Sequence, residues 1–353
     1  MLFLPQKVTM IELKSLNLTE LEQFVLQNGY PKFRAKQIYG WMTKGVKTFE
    51  QMTNLPKDMV AFLNENARLS LVEAEKKLVS ALDGTVKYLF RLNDGHYVES
   101  VVMQYHHGHT ICISSQVGCR MGCNFCQSTK DGKKRDLSAG EILDQIIYAN
   151  RDLDIAIHNV VMMGIGEPLD NFDNVTKFLQ LVNAPEGLNI GYRHISLSTC
   201  GVVPRIYKLA ELDIPITLSV SLHAPFDEMR SDMMPINRKY GISQLLKACT
   251  DYQRVTGRRI SYEYTLVKGV NDSKACALKL ASLLKGTLCH INLIPVNKIE
   301  NGEYDPTQRE EVLMFQKLLT DHGLNATVRR TLGADISASC GQLRSKQMKG
   351  AIS

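Results

Sequence analysis

Apolar residues recur at helical spacing over residues 11–67, and polar residues fill the positions between them. Each group of apolar positions places its side chains three or four residues apart, as one face of an amphipathic helix does. The pattern therefore predicts a small helical unit at the start of the chain. The groups are Leu18, Leu21, Phe24 and Val25, then Phe33, Ile38, Trp41 and Met42, then Phe62 and Leu63.

The segment 71–103 changes to short runs that are typical of strands. Two such runs, 86–91 and 97–103, flank the turn sequence Asn93-Asp94-Gly95. An Asp-Gly turn between two strand-like runs is a hairpin signal. We expect a β-hairpin here that links the helical unit to the rest of the chain.

From residue 110 onward, strand-like runs alternate with helical stretches. This alternation predicts an α/β fold built from repeated βα units, with a mostly parallel sheet and right-handed crossovers. Ligands of such sheets collect at the carboxyl ends of the strands, so the residues just after each strand are candidates for a site. The runs are 110–115, 159–163, 194–198, 214–222, 260–267, 290–295 and 326–330.

The composition of the chain limits the classes of protein to which it can belong. The chain has 353 residues, nine cysteines and a net charge of +6. No run approaches the roughly 20 apolar residues of a membrane span, and the start lacks the pattern of a signal peptide, so we expect a cytoplasmic protein without membrane contact. Cytosolic thiols stay reduced, which favours metal binding or catalysis over a disulfide framework. The mild positive charge suits a polyanionic partner without requiring one.

Three of the cysteines, Cys119, Cys123 and Cys126, form a C-x3-C-x2-C loop just after a predicted strand. Thiolates are the usual ligands of iron-sulfur clusters. Three ligands for a four-iron cubane leave one iron open to a substrate, as open metal sites are. The alternative is a structural zinc site, but no fourth Cys or His stands at suitable local spacing.

This loop, with Phe125 before its third cysteine, resembles the signature of the radical S-adenosylmethionine (SAM) superfamily. The resemblance implies a partial (β/α)6 barrel, a [4Fe-4S] cluster on the three cysteines, and SAM bound to the open iron. Gly164-Ile-Gly166-Glu167-Pro168 is similar to the GGEP-type motif of these barrels. Further candidate SAM contacts at the same rim are Gly166, Glu167, Ser198, Ser221, Leu222, His223 and Asn297.

More ordered matches, from about residue 10 to Leu343, resemble one subfamily, the radical SAM adenine methyltransferases of 23S ribosomal RNA and transfer RNA. The matching segments are CISSQVGC (112–119), VVMMGIGEPL (160–169), LSTCGVVP (197–204), SLHAP (221–225), MPIN (234–237), INLIP (291–295) and ASCGQL (338–343).

The subfamily resemblance implies roles for three more residues. Cys340 matches the cysteine that takes a methyl group from a first SAM, before a radical made from a second SAM activates that methyl group. Cys112 matches the cysteine that attacks Cys340 to release the RNA crosslink, leaving a transient disulfide. Glu99 matches the glutamate assigned as the base that removes the ring proton. We expect Cys200, Cys249, Cys276 and Cys289 to be ordinary buried cysteines.

The resemblance also implies partners and a domain division. We expect 23S ribosomal RNA and transfer RNA as substrates, two SAM per turnover, a flavodoxin-type electron donor, and a monomer. The division is 1–70 as a helical accessory domain with possible RNA contact, 71–104 as the hairpin linker, and 105–353 as the radical SAM core. Candidate phosphate contacts are Arg34, Lys36, Lys133, Lys134, Arg135, Arg329, Arg330, Arg344 and Lys346.

Two alternative functions stay open at this point. A relative of the same family would place the methyl group on adenine C8, and the residues alone do not decide the carbon. The chain could also be an iron-sulfur protein that binds RNA as a regulator without turnover. Identification of the methylated base separates the first alternative, and production of 5′-deoxyadenosine on reduction with SAM excludes the second.

Overall fold

Ten strands join into one mixed sheet in the computed structural model of this chain, which describes residues 10–297 and 304–343. Across the sheet their order is β3-β4-β5-β6-β9-β10-β11-β12-β13-β14, and two short strand pairs, β1-β2 and β7-β8, lie outside it. In chain order the strands are β1 (Ile11–Glu12), β2 (Ala67–Arg68), β3 (Val72–Val79), β4 (Val86–Leu92), β5 (Tyr97–Tyr105), β6 (Gly108–Cys112), β7 (Gln116–Val117), β8 (Arg135–Asp136), β9 (Ile157–Met162), β10 (Ile195–Thr199), β11 (Thr217–Ser221), β12 (Ile260–Leu266), β13 (Cys289–Pro295) and β14 (Ala326–Val328).

Helices alternate with the parallel strands of this sheet. The parallel part of the sheet consists of β6, β9, β10, β11, β12, β13 and β14. At least one helix follows each of these strands before the next one begins, and β14 is a short last strand. This arrangement confirms the predicted α/β fold with a partial barrel of six βα units. The helices are α1 (Leu18–Gln27), α2 (Phe33–Thr43), α3 (Lys57–Asn66), α4 (Ala139–Leu153), α5 (Phe172–Asn183), α6 (Val203–Ala210), α7 (Asp227–Met233), α8 (Ile242–Thr256), α9 (Lys274–Leu284) and α10 (Arg309–Asp321).

All seven predicted barrel strands are confirmed, with ends within three residues of the predicted bounds. The predicted hairpin is β4 and β5, and β5 pairs with β6, so the hairpin continues the barrel sheet. The sequence did not predict β3. Half of the residues in this edge strand are charged, and a bulge between Ala74 and Lys76 interrupts its alternation. Both features protect a sheet edge and hide the strand signal.

The predicted N-terminal helical unit consists of α1, α2 and α3, and it has its own apolar core. Asn17 begins α1 with a capping box that it shares with Glu20, which satisfies backbone N–H groups at the helix start. Phe33 is an exception to the predicted apolar face, because its side chain is 54% exposed.

The N-terminal unit packs directly on α4 of the barrel. Lys14 forms a buried ion pair with Asp144, whose other carboxylate oxygen accepts hydrogen bonds from the backbone N–H groups of Leu71 and Val72 at 2.7 and 3.1 Å. A Cβ on Gly140 would lie 2.6 Å from the hydroxyl oxygen of Ser15. The close approach of the two units therefore depends on glycine at that position.

The lengths and polarity of the helices bear on whether any of them could span a membrane. Among residues 10–297 and 304–343, the helices are too short or too polar to cross a bilayer.

Candidate active site

The three cysteines of the C-x3-C-x2-C motif lie on one loop, the cluster loop (119–126), which follows β7. Cys119 and Cys123 are buried, and Cys126 is half-buried. Gly118 has a φ of +73°, and a Cβ there would lie 1.9 Å from the carbonyl oxygen of Gly132. Only glycine therefore allows the loop to close in this way.

The chemistry of these thiols fits an iron-sulfur cluster. Burial raises the pKa of all three, to about 12 for Cys119, and because the thiolate is the metal-binding form, bound cations must offset that burial. In the described part of the chain, no three His, Cys, Asp or Glu side chains converge closely enough to hold a single metal ion. Three cysteine thiols on one loop fit a cubane, in which each thiolate binds a different iron.

The end of α7 and the segment after it support the cluster loop. The backbone N–H of Asn124 donates to the carbonyl of Met233 at 3.0 Å, and its side-chain amide donates to the carbonyl of Asp232 at 2.5 Å. A Cβ on Gly122 would touch the ring of Pro235 at 3.4 Å. The MPIN segment (234–237) is therefore part of the site's framework.

A cavity opens beside the cluster loop at the carboxyl ends of the strands. It encloses about 600 Å³ of space, part of which is open to solvent. Four of the predicted SAM contacts line this cavity together with Cys126 and Cys340. They are Ser198, Ser221, His223 and Asn297.

The other predicted SAM contacts do not line this cavity. The carboxylate of Glu167 is buried and accepts hydrogen bonds from the backbone N–H groups of Leu169 and Cys200 at 3.0 and 2.7 Å. A Cβ on Gly166 would lie 2.7 Å from the side chain of Gln116. Leu222 is fully buried. In this structure Gly166, Glu167 and Leu222 therefore pack between the ends of neighbouring strands and do not face the cavity.

His223 is fixed as a neutral ring. Its Nδ1 accepts a hydrogen bond from the backbone N–H of Thr265 at 2.9 Å, and its ring meets Phe125 edge to face at 4.8 Å. Burial, with a smaller effect of the Arg230 charge, lowers the pKa of His223 to about 3. The ring therefore offers the cavity no charge at neutral pH.

A second cavity adjoins the first, and Cys340 lines both. This second cavity also contains Cys112, Tyr105 and Arg329. Cys340 is half-buried, while Cys112 is buried. The structure therefore brings both predicted reactive cysteines to one cavity and the SAM rim to the other, with Cys340 between them.

The loop that carries Cys340, the C-terminal loop (331–343), is held on the cluster-loop side. The backbone N–H of Gln127 donates to the carbonyl of Gly341 at 2.7 Å, and the hydroxyl of Ser128 donates to the carbonyl of Leu343 at 2.9 Å. Asn297 donates from its side-chain amide to the carbonyl of Cys340 at 3.1 Å. These bonds fix the backbone at Cys340 and in the residues that follow it.

The other side of the C-terminal loop is held by the turn between β3 and β4. The hydroxyl of Ser80 donates to a carboxylate oxygen of Asp335 at 2.6 Å, and the backbone N–H of Gly333 donates to Asp83 at 2.9 Å. The loop therefore spans from the antiparallel edge of the sheet to the cluster loop.

Cys112 ends β6 in a buried, apolar setting. Burial, followed by the charge of Cys340, raises the pKa of the Cys112 thiol to about 12, while the charge of Arg329 opposes the shift. As a thiol near neutral pH, Cys112 behaves as a weak nucleophile. Its activation requires removal of a proton.

Glu99 lies on the same face of β5 as Val101 and Met103, which line the second cavity. Its carboxylate is buried and forms an ion pair of 2.9 Å with the ammonium of Lys87. Lys87 also donates to the carbonyl of Ser337 in the C-terminal loop at 3.0 Å. Sequence patterns missed Lys87 because it stands in the apolar run 86–90 as a single polar residue.

Two further charged residues line the site. Glu263, which sequence analysis missed, lines the first cavity, accepts a hydrogen bond from the side-chain amide of Asn292 at 2.7 Å, and has a pKa raised by burial. Arg329 was predicted to contact RNA phosphates, yet it lines both cavities. The charge of Cys340 is the largest cause that raises the pKa of Arg329. Glu263 lies in the middle of β12, and Arg329 directly follows β14.

The cations that were predicted to contact RNA differ in their exposure and in their ion pairs within the protein. Lys133 pairs with Asp136 and Asp170 at 2.8 and 2.9 Å, and Arg135 pairs with Asp94 and Glu141. Lys36, Lys134 and Arg330 are exposed, whereas Arg344 and Lys346 lie outside the described residues. Exposed cations are the better candidates for phosphate contact. The internal pairs give Lys133 and Arg135 a role in holding β7 and β8 in place.

Two family models match the chain. The Radical SAM superfamily matches residues 113–279, and the Ribosomal RNA large subunit methyltransferase N-terminal domain matches residues 11–69. The two matches fall on the barrel strands and on the helical unit.

Curated relatives and a solved structure match nearly the whole chain. Proteins of Alkaliphilus metalliredigens and Desulforamulus reducens, each named probable dual-specificity RNA methyltransferase RlmN, are 52% and 53% identical to it. Each alignment covers 95% of this chain and 96% of the relative. The crystal structure of a radical SAM methyltransferase from Sphaerobacter thermophilus is 41% identical, with a TM-score of 0.93 over 95% of this chain and 100% of that chain.

Proposed function

Because this chain belongs to the family of dual-specificity radical SAM RNA methyltransferases, we propose that it methylates C2 of adenine in 23S ribosomal RNA and in transfer RNA. The observation that carries the proposal is the position of Cys340, in the wall between two cavities. One cavity contains the expected SAM contacts, and the other contains Cys112. A methyl carrier needs access to both its donor and its acceptor.

The target atom explains why a carrier is needed. C2 of adenine is an aromatic carbon without a lone pair, so it cannot take a methyl cation directly from SAM. Cys119, Cys123 and Cys126 would hold the [4Fe-4S] cluster, which supplies the electron that cleaves SAM to a 5′-deoxyadenosyl radical. A low-potential one-electron donor of the flavodoxin type would reduce it.

Cys340 takes the methyl group first. Its sulfur attacks the methyl carbon of one SAM, and S-adenosylhomocysteine leaves. The attack requires a thiolate, and the half-buried guanidinium of Arg329 in the shared wall stabilises negative charge there. The methyl group then loses a hydrogen atom to the radical made from a second SAM, and the resulting carbon radical adds to C2. Each turnover thus uses two SAM.

Addition leaves RNA bonded to the protein through Cys340 as a radical adduct. It becomes a closed-shell crosslink by losing the ring proton and one electron, which the oxidised cluster would take up. Cys112 attacks the sulfur of Cys340, a disulfide forms, and the bond between that sulfur and the transferred carbon breaks. The electron pair of the broken bond passes to the carbon, which takes a proton. Glu99 acts as the base for the ring proton, from a buried position next to the ammonium of Lys87.

The remaining predicted contacts act at the rim. Ser198, Ser221, His223 and Asn297 contact SAM in the first cavity. Gly166, Glu167 and Leu222 contribute through their backbone, because the Glu167 carboxylate already accepts two backbone N–H groups. The substrate adenine must leave its stack to reach Cys340.

The deciding experiment is anaerobic reconstitution of the cluster, followed by methylation of 23S ribosomal RNA and of transfer RNA. Mass spectrometry of the nucleosides should find 2-methyladenosine in both. Detection of 8-methyladenosine instead would move the target to the other ring carbon. Absence of 5′-deoxyadenosine after reduction with SAM would contradict an enzymatic function.

A further inference from the structure

Arg230, in α7, is the largest fully buried side chain in the described part of the protein. Its guanidinium donates four hydrogen bonds, and all four acceptors are neutral oxygens. They are the carbonyls of Leu222 (3.0 Å), Cys200 (2.8 Å) and Ser221 (3.0 Å) and the side-chain oxygen of Asn237 (2.9 Å).

This arginine makes no ion pair with a carboxylate among residues 10–297 and 304–343. The acid on its own helix, Asp227, accepts instead from Asn237 at 3.0 Å and from the backbone N–H of Ile242 at 2.9 Å. Asp227 therefore reaches the guanidinium only through Asn237. A fully buried cation without a directly bonded anion is costly, so buried charges in proteins are almost always paired or next to a metal centre.

The cluster loop lies next to Arg230, and a cluster bound to its three thiolates would bring negative charge there. The carbonyl of Cys200 accepts from Arg230, and Cys200 packs with Cys123 and Met233 in one buried group. Met233, at the end of the same helix, accepts the backbone hydrogen bond from Asn124 of the loop. The guanidinium and the cluster loop therefore share a single buried environment.

One buried carboxylate, Glu167, is connected to Arg230 through Cys200. The N–H of Cys200 donates to Glu167 at 2.7 Å, while its carbonyl accepts from Arg230 at 2.8 Å. The main chain of Cys200 thus separates the two charges. Glu167 accepts its hydrogen bonds from backbone groups rather than from the guanidinium.

We propose that Arg230 is a positioning residue whose buried charge serves as the counterion of the iron-sulfur cluster and raises its reduction potential. A [4Fe-4S] core with three thiolates carries net negative charge, and taking up one electron adds one more unit. A nearby buried cation stabilises the reduced form more than the oxidised form. The proposal rests on the cluster assigned to Cys119, Cys123 and Cys126 under the proposed function.

The test is a redox titration of the anaerobically reconstituted full chain, followed by electron paramagnetic resonance of the reduced cluster, without SAM or RNA. Arg230→Gln removes the charge and keeps part of the hydrogen bonding, and Arg230→Lys keeps the charge. Asn237→Ala keeps Arg230 and its charge but removes one of its four hydrogen bonds, together with the bonds of Asn237 to Asp227 and Ser231. At a fixed potential, the ratio of reduced to oxidised cluster should fall on the order of tenfold in Arg230→Gln, which is about 59 mV for one electron. It should stay near the wild-type value in the other two variants.

Each outcome decides a separate point. An unchanged midpoint in Arg230→Gln with full iron and sulfide content overturns the proposal. If charge-removing variants fold but do not retain the cluster, the comparison becomes cluster content: the proposal expects Arg230→Lys to load and Arg230→Met to fail. Equal failure of both would make Arg230 a hydrogen-bonding support only. A wild-type chain that binds no cluster would overturn the cluster assignment itself.

Discussion

The side-chain amide of Asn297 donates a hydrogen bond of 3.1 Å to the backbone carbonyl of Cys340. Asn297 follows β13 and also lines the cavity that contains the expected SAM contacts. One side chain therefore ties the loop of Cys340, the proposed methyl acceptor, to the rim where we propose that the methyl donor binds. The position of the Cys340 backbone is set by the barrel.

Replacing Cys340 with alanine should abolish RNA methylation without loss of the cluster. No other described cysteine lines the wall of both cavities, so no thiol can substitute as the carrier. The C-terminal peptide should carry no methyl group by mass spectrometry, while iron and sulfide contents match the wild type. Cys289→Ala, at the opposite end of β13, is the matched control and should remain active. Methylated product from Cys340→Ala would contradict the carrier role.

Replacing Cys112 with alanine should leave methyl transfer to Cys340 intact and trap RNA on the protein. The adduct can form because its chemistry involves only Cys340, but the attack that releases it is lost. Denaturing gels of reactions with labelled transfer RNA should show a covalent complex that accumulates with time. Free methylated RNA, formed at the wild-type rate, would exclude Cys112 from release.

Release of that adduct should become faster as pH rises. Burial is the first cause that holds the pKa of Cys112 near 12, and burial persists in the adduct, although the Cys340 charge is then absent. Below its pKa, the thiolate fraction grows about tenfold per pH unit. Single-turnover quenching between pH 6.5 and 8.5 should therefore give a log rate that rises with a slope near one. A flat profile would mean that another group removes the proton before the rate-limiting step.

Substitutions in the Lys87–Glu99 ion pair should separate the effect of the pair on stability from the effect of Glu99 on catalysis. Lys87→Met leaves a buried carboxylate without its cation, which should lower the free energy of unfolding by about 3–5 kcal/mol. Adding Glu99→Gln removes that charge and should recover most of the loss in thermal unfolding of the reconstituted protein. The double variant should still turn over roughly 100- to 10,000-fold more slowly, as expected for a lost general base. Near wild-type turnover in the double variant would remove Glu99 from that role.

Sequence patterns predicted the barrel well because each of its buried strands is a short apolar run bounded by turns. They missed β3, where edge protection replaces the apolar run with charges and a bulge. They missed Lys87, the partner of the predicted Glu99, for a different reason. The two residues meet only because β4 and β5 are paired in a particular register, and register is set by tertiary structure.

Motif spacing indicated which residues belong to the site but not how each is used. Glu167 and Leu222 lie in matching motifs, yet their side chains support strand ends rather than face the cavity. Arg329 is one of many cations in the sequence, and only the fold places it between the two cavities. Arg230 has no motif signal of its own, because its acceptors are backbone carbonyls from distant segments.

The C-terminal loop contacts parts of the chain that are far away in sequence, and we therefore expect it to dock late in folding. Ser80 and Asp335 hydrogen bond to each other although 255 positions separate them in the chain. Contacts of such long range carry a large loop-closure entropy and form late in folding. They are also among the first to open, since a surface loop is less stable than the sheet beneath it. Mild denaturant will therefore part Cys340 from Cys112 while the helices remain intact, so activity disappears before secondary structure does.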